Sequence, residues 1–512
     1  MVSSFSGLET AKRGLFAQQS ALYATGHNIA NANTEGYTRQ RVNFEQTSPF
    51  PPASRNRPEI TGQIGSGVRI GAIERIRDNY LDVQYRSENN NAGYFEARAS
   101  ELSRLEEIMN EPLEDGLSKT MDRFWQALQD LSVNPEHSGA RSVVVEQGKA
   151  VTDTFNYLSK TLINIQGDIA AEVDITTKTI NSIAQQINSL NGQIASVEPH
   201  GPVPNDLYDQ RDLLIDKLSS LVNINVTYES TPSSADALAR GKVNISLVDA
   251  GGKELTSSLV NGADQSVNAL SVTYNDRNLA STITLGGREM SVEEFTINGK
   301  LKGLIDTGGY VKANGEDTGT YEKMLSDLDK LATGFAEKFN EVHRSGQSLR
   351  TISNGGQPPA FFEITGKKNE AGIIKGLAGR IEVTDEIKED IDHIAAASIA
   401  EAGNGNNAKL LAEVQHADDE LFGEKASMIN YYESMIGSMA VEAQEAARMQ
   451  GNTATLTSSV EQRRMSVSAV SLDEEMTNMI KFQHAYNASA RNITTIDEML
   501  DRIINQMGVV GR

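Results

Sequence analysis

The 512-residue sequence contains no cysteine. That excludes a thiol nucleophile, a disulfide framework and any thiolate-held metal. Positive charge is also short: 47 Lys and Arg stand against 69 Asp and Glu, a net charge of −22. Nucleic acid and anionic membrane surfaces both need clustered cations, so neither suits this chain as a partner. The acid surplus fits a surface that repels its own copies until a specific interface forms. No apolar run is long enough to cross a bilayer, so membrane insertion is not expected. Met1–Ala30 is rich in Ser, Gln, Thr and Asn and lacks the apolar centre of a cleaved leader. Export, for such a chain, is expected by a route that needs none.

Catalytic signatures are missing as well. There is no Walker loop, nucleophile elbow or His-Glu-x-x-His pair. The run Gly62-Gln63-Ile64-Gly65-Ser66-Gly67 does not complete a dinucleotide fingerprint and reads as a turn beside Val68, Ile70 and Ile73. The seven histidines, His27, His137, His200, His343, His393, His416 and His484, include no two at helical ligand spacing. Glu474-Glu475 and Asp418-Asp419 read as solvated helix faces. Trp125, the single tryptophan, adjoins an apolar stripe and reads as core. No catalytic residue, cofactor or metal is assigned, and no enzymatic activity is expected.

What the sequence has in quantity is helical periodicity. Leu8, Leu15, Leu22 and Ile29 recur every seven residues. At the other end Leu472, Met476 and Met479 lead into Ile493, Ile496, Leu500, Ile503 and Met507. Such stripes form seams for other helices. Gly7, Gly14 and Gly26 interrupt the first, each costing roughly 1 kcal/mol of helix stability relative to Ala. The ends are therefore marginal alone and expected to fold on contact with neighbours.

Between the ends, Leu117, Met121, Phe124, Leu128 and Leu131 predict a helix that stops at Asn134-Pro135. Phe155, Leu158, Leu162, Ile165, Ile169 and Val173 open a three-four alternation that runs through Ile180, Ile183, Ile187, Leu190 and Ile194 to Val197. That predicts a long coiled-coil-like helix ending at the stiff turn Pro199-His200-Gly201-Pro202-Val203-Pro204. Leu207, Leu214, Leu218 and Leu221 predict a helix folding back. From Asn223 the period becomes two, as at Val243, Ile245 and Leu247, with turns at Gly251-Gly252, Gly286-Gly287 and Asn298-Gly299. Helix resumes at Tyr321, Met324, Leu328, Leu331, Phe335 and Phe339, and again from about Glu389 to Arg464.

The predicted fold is mainly α with a smaller β-rich insertion. It is elongated, with long coiled-coil-like helices and the N- and C-terminal helices paired at one end. The expected divisions are 1–45 with 466–512 as terminal segments disordered in the free monomer, 46–222 with 309–465 as a helical body, and 223–308 as the insertion.

Two segments carry a resemblance. Asn28-Ile29-Ala30-Asn31-Ala32-Asn33-Thr34-Glu35-Gly36-Tyr37-Thr38-Arg39-Gln40 closely resembles the N-terminal signature of the flagellar rod, hook and hook-associated protein family. Ser466 to Met476, continuing into Phe482-Gln483-His484-Ala485-Tyr486-Asn487, resembles that family's C-terminal signature. Arg123 to Pro135 and Asn205-Asp206-Leu207-Tyr208-Asp209-Gln210-Arg211-Asp212 are similar to the helical body of its hook-associated, junction-forming branch. Ala469 and Ser471 stand where that family usually has Gly and Asn, and 346–385 is shorter than in many relatives.

The resemblance implies a structural subunit at the hook–filament junction, outside the cell after transient residence in the cytoplasm and export in an unfolded state. Implied partners are the hook protein, hook-associated protein 3, copies of the chain in a ring, and an export chaperone on the helix from about Leu472 to Met507. The implied assembly interface comprises Leu8, Leu15, Leu22, Ile29, Asn31, Asn33, Thr34, Gly36 and Tyr37, with Leu472, Met476, Met479, Tyr486, Ile493, Ile496, Leu500, Ile503 and Met507. Another axial rod or hook subunit, or a secreted coiled-coil adhesin, are the alternatives.

Overall fold

The computed structural model describes residues 4–51, 62–109, 116–230, 235–249, 251–423 and 426–506. The chain opens with helix α1 (Ser4–Ala30) and an antiparallel ribbon, β1 (Gln40–Gln46) with β2 (Val68–Arg75). The helical body follows as α2 (Asn79–Met109), α3 (Leu117–Val133), α4 (Ser138–Val197) and α5 (Asn205–Leu221). The helix ending at Asn134-Pro135 and the return after Pro204 stand where periodicity and proline place them.

α4 runs for 60 residues. Its apolar stripe is buried from Phe155 to Ile194, but not in a coiled coil with one partner helix. α3, α7, α6, α5 and the two larger sheets cover it in turn. Periodicity reports that a face is buried and leaves open what buries it.

The β-rich region holds two sheets. β3 (Ile224–Glu229), β4 (Lys242–Val248), β5 (Glu254–Asn261) and β6 (Ser266–Val267) form an antiparallel meander. β7 (Leu270–Tyr274), β8 (Ala280–Leu285) and β9 (Arg288–Ser291) form the second sheet, which continues after α6 (Lys300–Gly308) into β10 (Tyr310–Val311) and β11 (Asp317–Thr318). α7 (Thr320–Ser345) returns to the body, followed by α8 (Leu349–Asn354), the short pair β12 (Phe362–Glu363) and β13 (Glu382–Val383), α9 (Asp385–Glu389) and α10 (Asn406–Glu413). Two long helices finish the chain: α11 (Met428–Ser468) packs along α2, and α12 (Leu472–Asp501) packs along α1. The terminal helices are thus paired, as expected.

An aromatic cluster lies in the core of the body. Phe124, Trp125, Phe155, Phe335, Phe339, Phe361 and Phe362 are all buried, with ring centroids 4.7–6.3 Å apart across this cluster. Trp125 is a core residue.

Candidate assembly interface

The α1–α12 pair is antiparallel. A Cβ added at Gly7 would lie 3.4 Å from Ile496 Cδ1, and one at Gly14 would lie 3.2 Å from Ser489 Oγ. Asn28 Nδ2 donates to Glu475 Oε2 at 3.0 Å. Each step of seven up α1 is therefore a step of seven down α12, which sets Ala21 opposite Phe482. The close line on α1 is Gly7, Gly14, Ala21 and Asn28, small residues that let the backbones approach. Leu8, Leu15, Leu22 and Ile29 sit one position along, flanking the seam and half-buried. Of the three glycines read from sequence as interruptions, Gly7 and Gly14 are the contact itself, whereas a Cβ at Gly26 would meet nothing within 4 Å.

On α12, Met479, Tyr486, Ile493, Ile496 and Leu500 are half-buried along the seam, whereas Leu472 and Met476, and Ile503 just beyond the helix, are exposed. Met507 lies outside the described residues. The one buried residue on α12 is Glu475, 2% exposed. Away from the seam the pair leaves Phe5, Phe16, Tyr23, Met476, Ile480 and Met499 all more than half exposed.

At the end of α1 the signature points one asparagine inward, while Asn33 to Gly36 of the following turn stay exposed. Asn28, 1% exposed, makes four hydrogen bonds: its Nδ2 donates to Gln40 O and Glu475, while its Oδ1 accepts from Tyr37 Oη at 2.8 Å and Gln40 N at 3.0 Å. Tyr37 stacks on His27 at 5.5 Å, and burial, reinforced by Asp206, Asp209 and Glu475, pushes its hydroxyl pKa up, so it remains a donor. Asn31 Nδ2 donates to His27 O and its Oδ1 accepts from Thr34 Oγ1. Gly36 holds φ +78°, and a Cβ there would meet Leu213 at 3.0 Å. Asn33 is exposed.

Beyond the turn, Arg39 ties three segments. Its N–H donates to Ser468 O at the end of α11, its carbonyl accepts from Ile76 N, and its guanidinium bridges Glu474 and Glu475. Below it α5 presents Asn205, Asp209, Asp212, Asp216 and Ser219 at four-three spacing, a polar version of a helix seam. Asp209 accepts from Thr38 N at 3.0 Å and Arg75 Nη1 at 2.7 Å. Asp212 faces Arg75 and Arg77 at 3.0 and 3.2 Å, and Asp216 faces Arg86 and Arg464. Burial would raise the Asp212 pKa, but Arg77, Arg75, Arg86 and Arg211 overcome it and hold it far below the carboxylate range. Sequence reasoning reads α5 by its leucines and misses this stripe. It also leaves Asn28, Arg39 and Glu475 out of the interface, although all three lie within the two signature segments.

A cleft of about 1240 Å³ lies elsewhere, where the second sheet meets α2, α4 and α7. It contains none of the expected interface residues, and at one wall Arg277 and Lys375 each pair with both Asp317 and Glu322. Among the described residues no group of three or more His, Asp or Glu is placed to hold a metal ion. No helix among them is long and apolar enough to cross a membrane.

Residues 102–362 match the flagellar hook-associated protein FlgK helical domain. Residues 8–38 match the flagella basal body rod protein family, and 461–507 the flagellar basal body rod FlgEFG protein C-terminal family. These two shorter matches fall on the two arms that Arg39 and Asn28 join. Flagellar hook-associated protein 1 of Bacillus subtilis (strain 168) is 47% identical over 514 residues, 100% of both chains. That of Escherichia coli (strain K12) is 25% identical, over 97% of this chain and 99% of its own. The flagellar hook junction protein FlgK from Burkholderia pseudomallei shares the fold, with a TM-score of 0.60 over 76% of this chain and 100% of its own at 13% identity. The chain belongs to the flagellar hook-associated protein 1 family.

Proposed function

We propose that the chain is a structural, non-enzymatic subunit joining hook to filament outside the cell, reached by export from the cytoplasm. The observation that carries this is α12 itself: thirty residues long, it buries one carboxylate and no apolar side chain. A helix that leaves Met476, Ile480 and Met499 in water is incomplete in one copy, because exposed apolar area is worth roughly 25 cal/mol per Å² once covered. Neighbouring copies in a ring, the hook subunit on one side and hook-associated protein 3 on the other supply the cover. Leu8, Leu15, Leu22 and Ile29, flanking the seam, are the second stripe they meet. The terminal pair then forms the inner wall, the helical body the next shell and the β-rich region the outside. Before assembly the Met-bearing face of α12 suits a chaperone, since Met repacks readily.

Deleting the gene tests the role. Hooks that persist without filaments, with filament protein lost to the medium, are the expected outcome. Absent hooks would assign the chain to an earlier rod or hook part. Normal filaments would reject a flagellar role and favour an adhesin.

A further inference from the structure

The polar stripe on α5 is unusual for a helix covered on several sides. Asp209, Asp212 and Asp216 are at most 7% exposed, and the side chains of Arg75, Arg77 and Arg86 at most 8%. Their cations come from separate stretches: Arg75 and Arg77 from the end of the ribbon, Arg86 from α2, and Arg464 from the end of α11. Arg464 also lies 4.1 Å over the Tyr85 ring. Arg77 Nη2, Arg86 Nη2 and Asp212 Oδ1 have no hydrogen-bond partner among the described residues, while Asp212 Oδ2 accepts from Arg75 Nη1 at 3.0 Å and Arg86 Nε donates to Asp216 Oδ1 at 2.8 Å.

Three aspartates on one helix face repel one another, and each is costly to bury without its cation. Apolar residues of the same volume would pack in any partly formed state. In the folded chain the stripe draws cations from both stretches that carry the terminal helices.

We propose that α5 is an internal receptor for the roots of the two terminal helices: closure of the body requires Arg75 and Arg77 from the ribbon and Arg464 from α11. The helices α1 and α12 stay loosely held while their roots and the body order together as one unit. This rests on the junction reading only in taking the terminal pair as the assembling part. Because it is tested on the isolated chain, it can fail while the flagellar role stands, or stand while that role fails.

The experiment compares purified full-length chain with Arg77→Met, Asp212→Asn and the double variant, by thermal unfolding and hydrogen–deuterium exchange. Arg77→Met is expected to lower Tm by roughly 5 °C. Peptides from the ribbon and from α5 are expected to lose protection in parallel. Arg77 Nε also donates to Asp82 Oδ2 at 2.6 Å and Asp212 also faces Arg75, so Asp212→Asn should lower Tm as well and the double variant should recover part of the summed loss. The Arg77→Met deficit should shrink as pH falls and Asp82, Asp212 and Asp216, the carboxyls that face Arg77, protonate. Additive losses in the double variant, or a ribbon that opens while α5 stays protected, would overturn the proposal. If Arg77→Met does not fold, Arg464→Met with Asp216→Asn, at the cluster's edge, gives the same comparison: recovery in the double variant supports the receptor, and additive losses overturn it.

Discussion

At the scale of the residue, Asn28 concentrates the most information in the fewest atoms. All four of its hydrogen-bonding positions are used, and its partners belong to α1's exit turn, the ribbon and α12. Asn28→Ala leaves Glu475 and the Gln40 amide short of partners in a buried place, at a cost on the order of 2–3 kcal/mol. Exchange at the Gln40 amide is expected to quicken by roughly a hundredfold. His343 makes a different prediction. It is fully buried, its Nε2 accepts from Ala395 N, and its Nδ1 lies 3.0 Å from Pro359 O. Burial lowers its pKa to about 4, so the fold holds it neutral. The stability this supplies is complete above the unfolded value near 6.5 and is lost as pH falls from there toward 4. The loss is about 3 kcal/mol. His343→Gln keeps an acceptor for Ala395 and should remove that part of the pH dependence, read as the difference in denaturation midpoints between the two proteins.

At the scale of the element, register is the testable quantity. The absence of cysteine gives a clean background for cross-linking. Cysteines at 14 and 489 should oxidise to a disulfide, whereas 14 with 482 should not, because a seven-residue step moves the partner roughly 10 Å along the helix. The terminal stripes, α3 and α4 were legible because apolar spacing declares a helix. What α4 packs against was not, since one stripe serves any partner. The ribbon was hidden for another reason: β1 is largely exposed, β2 lies more than twenty residues on, and no tight turn announces their pairing. The seam glycines and the α5 aspartates were hidden because both do with small or charged side chains what the eye expects of leucine.

At the scale of the whole molecule, the terminal pair and the body are held by different means. Removing α12 beyond Met479 takes away no buried apolar side chain of its own, and the buried apolar residues it leaves on α1 are the small Ala17, Ala21 and Ala24. A chain ending after Met479 should keep the full-length Tm within about 2 °C and lose the ability to restore filaments to a deletion strain. In the free monomer, protease should remove α1 and the distal part of α12 before it cuts the ribbon. A chain resistant at both ends would contradict the incomplete-helix argument.

The joint around Arg77 and Asp212 lies near the C-terminal end of α4, where Asn191 accepts from Arg211 and Glu198 from Tyr208. The other end of that 60-residue helix is about 90 Å away. Over such an arm, angular play of about 5° at the joint becomes a displacement of roughly 8 Å at the tip. Dry, closely spaced charges resist small rotations because every degree lengthens several ion pairs at once. The pivot's stiffness, multiplied by the length of the arm, sets how accurately the far end of α4 is held relative to the terminal pair.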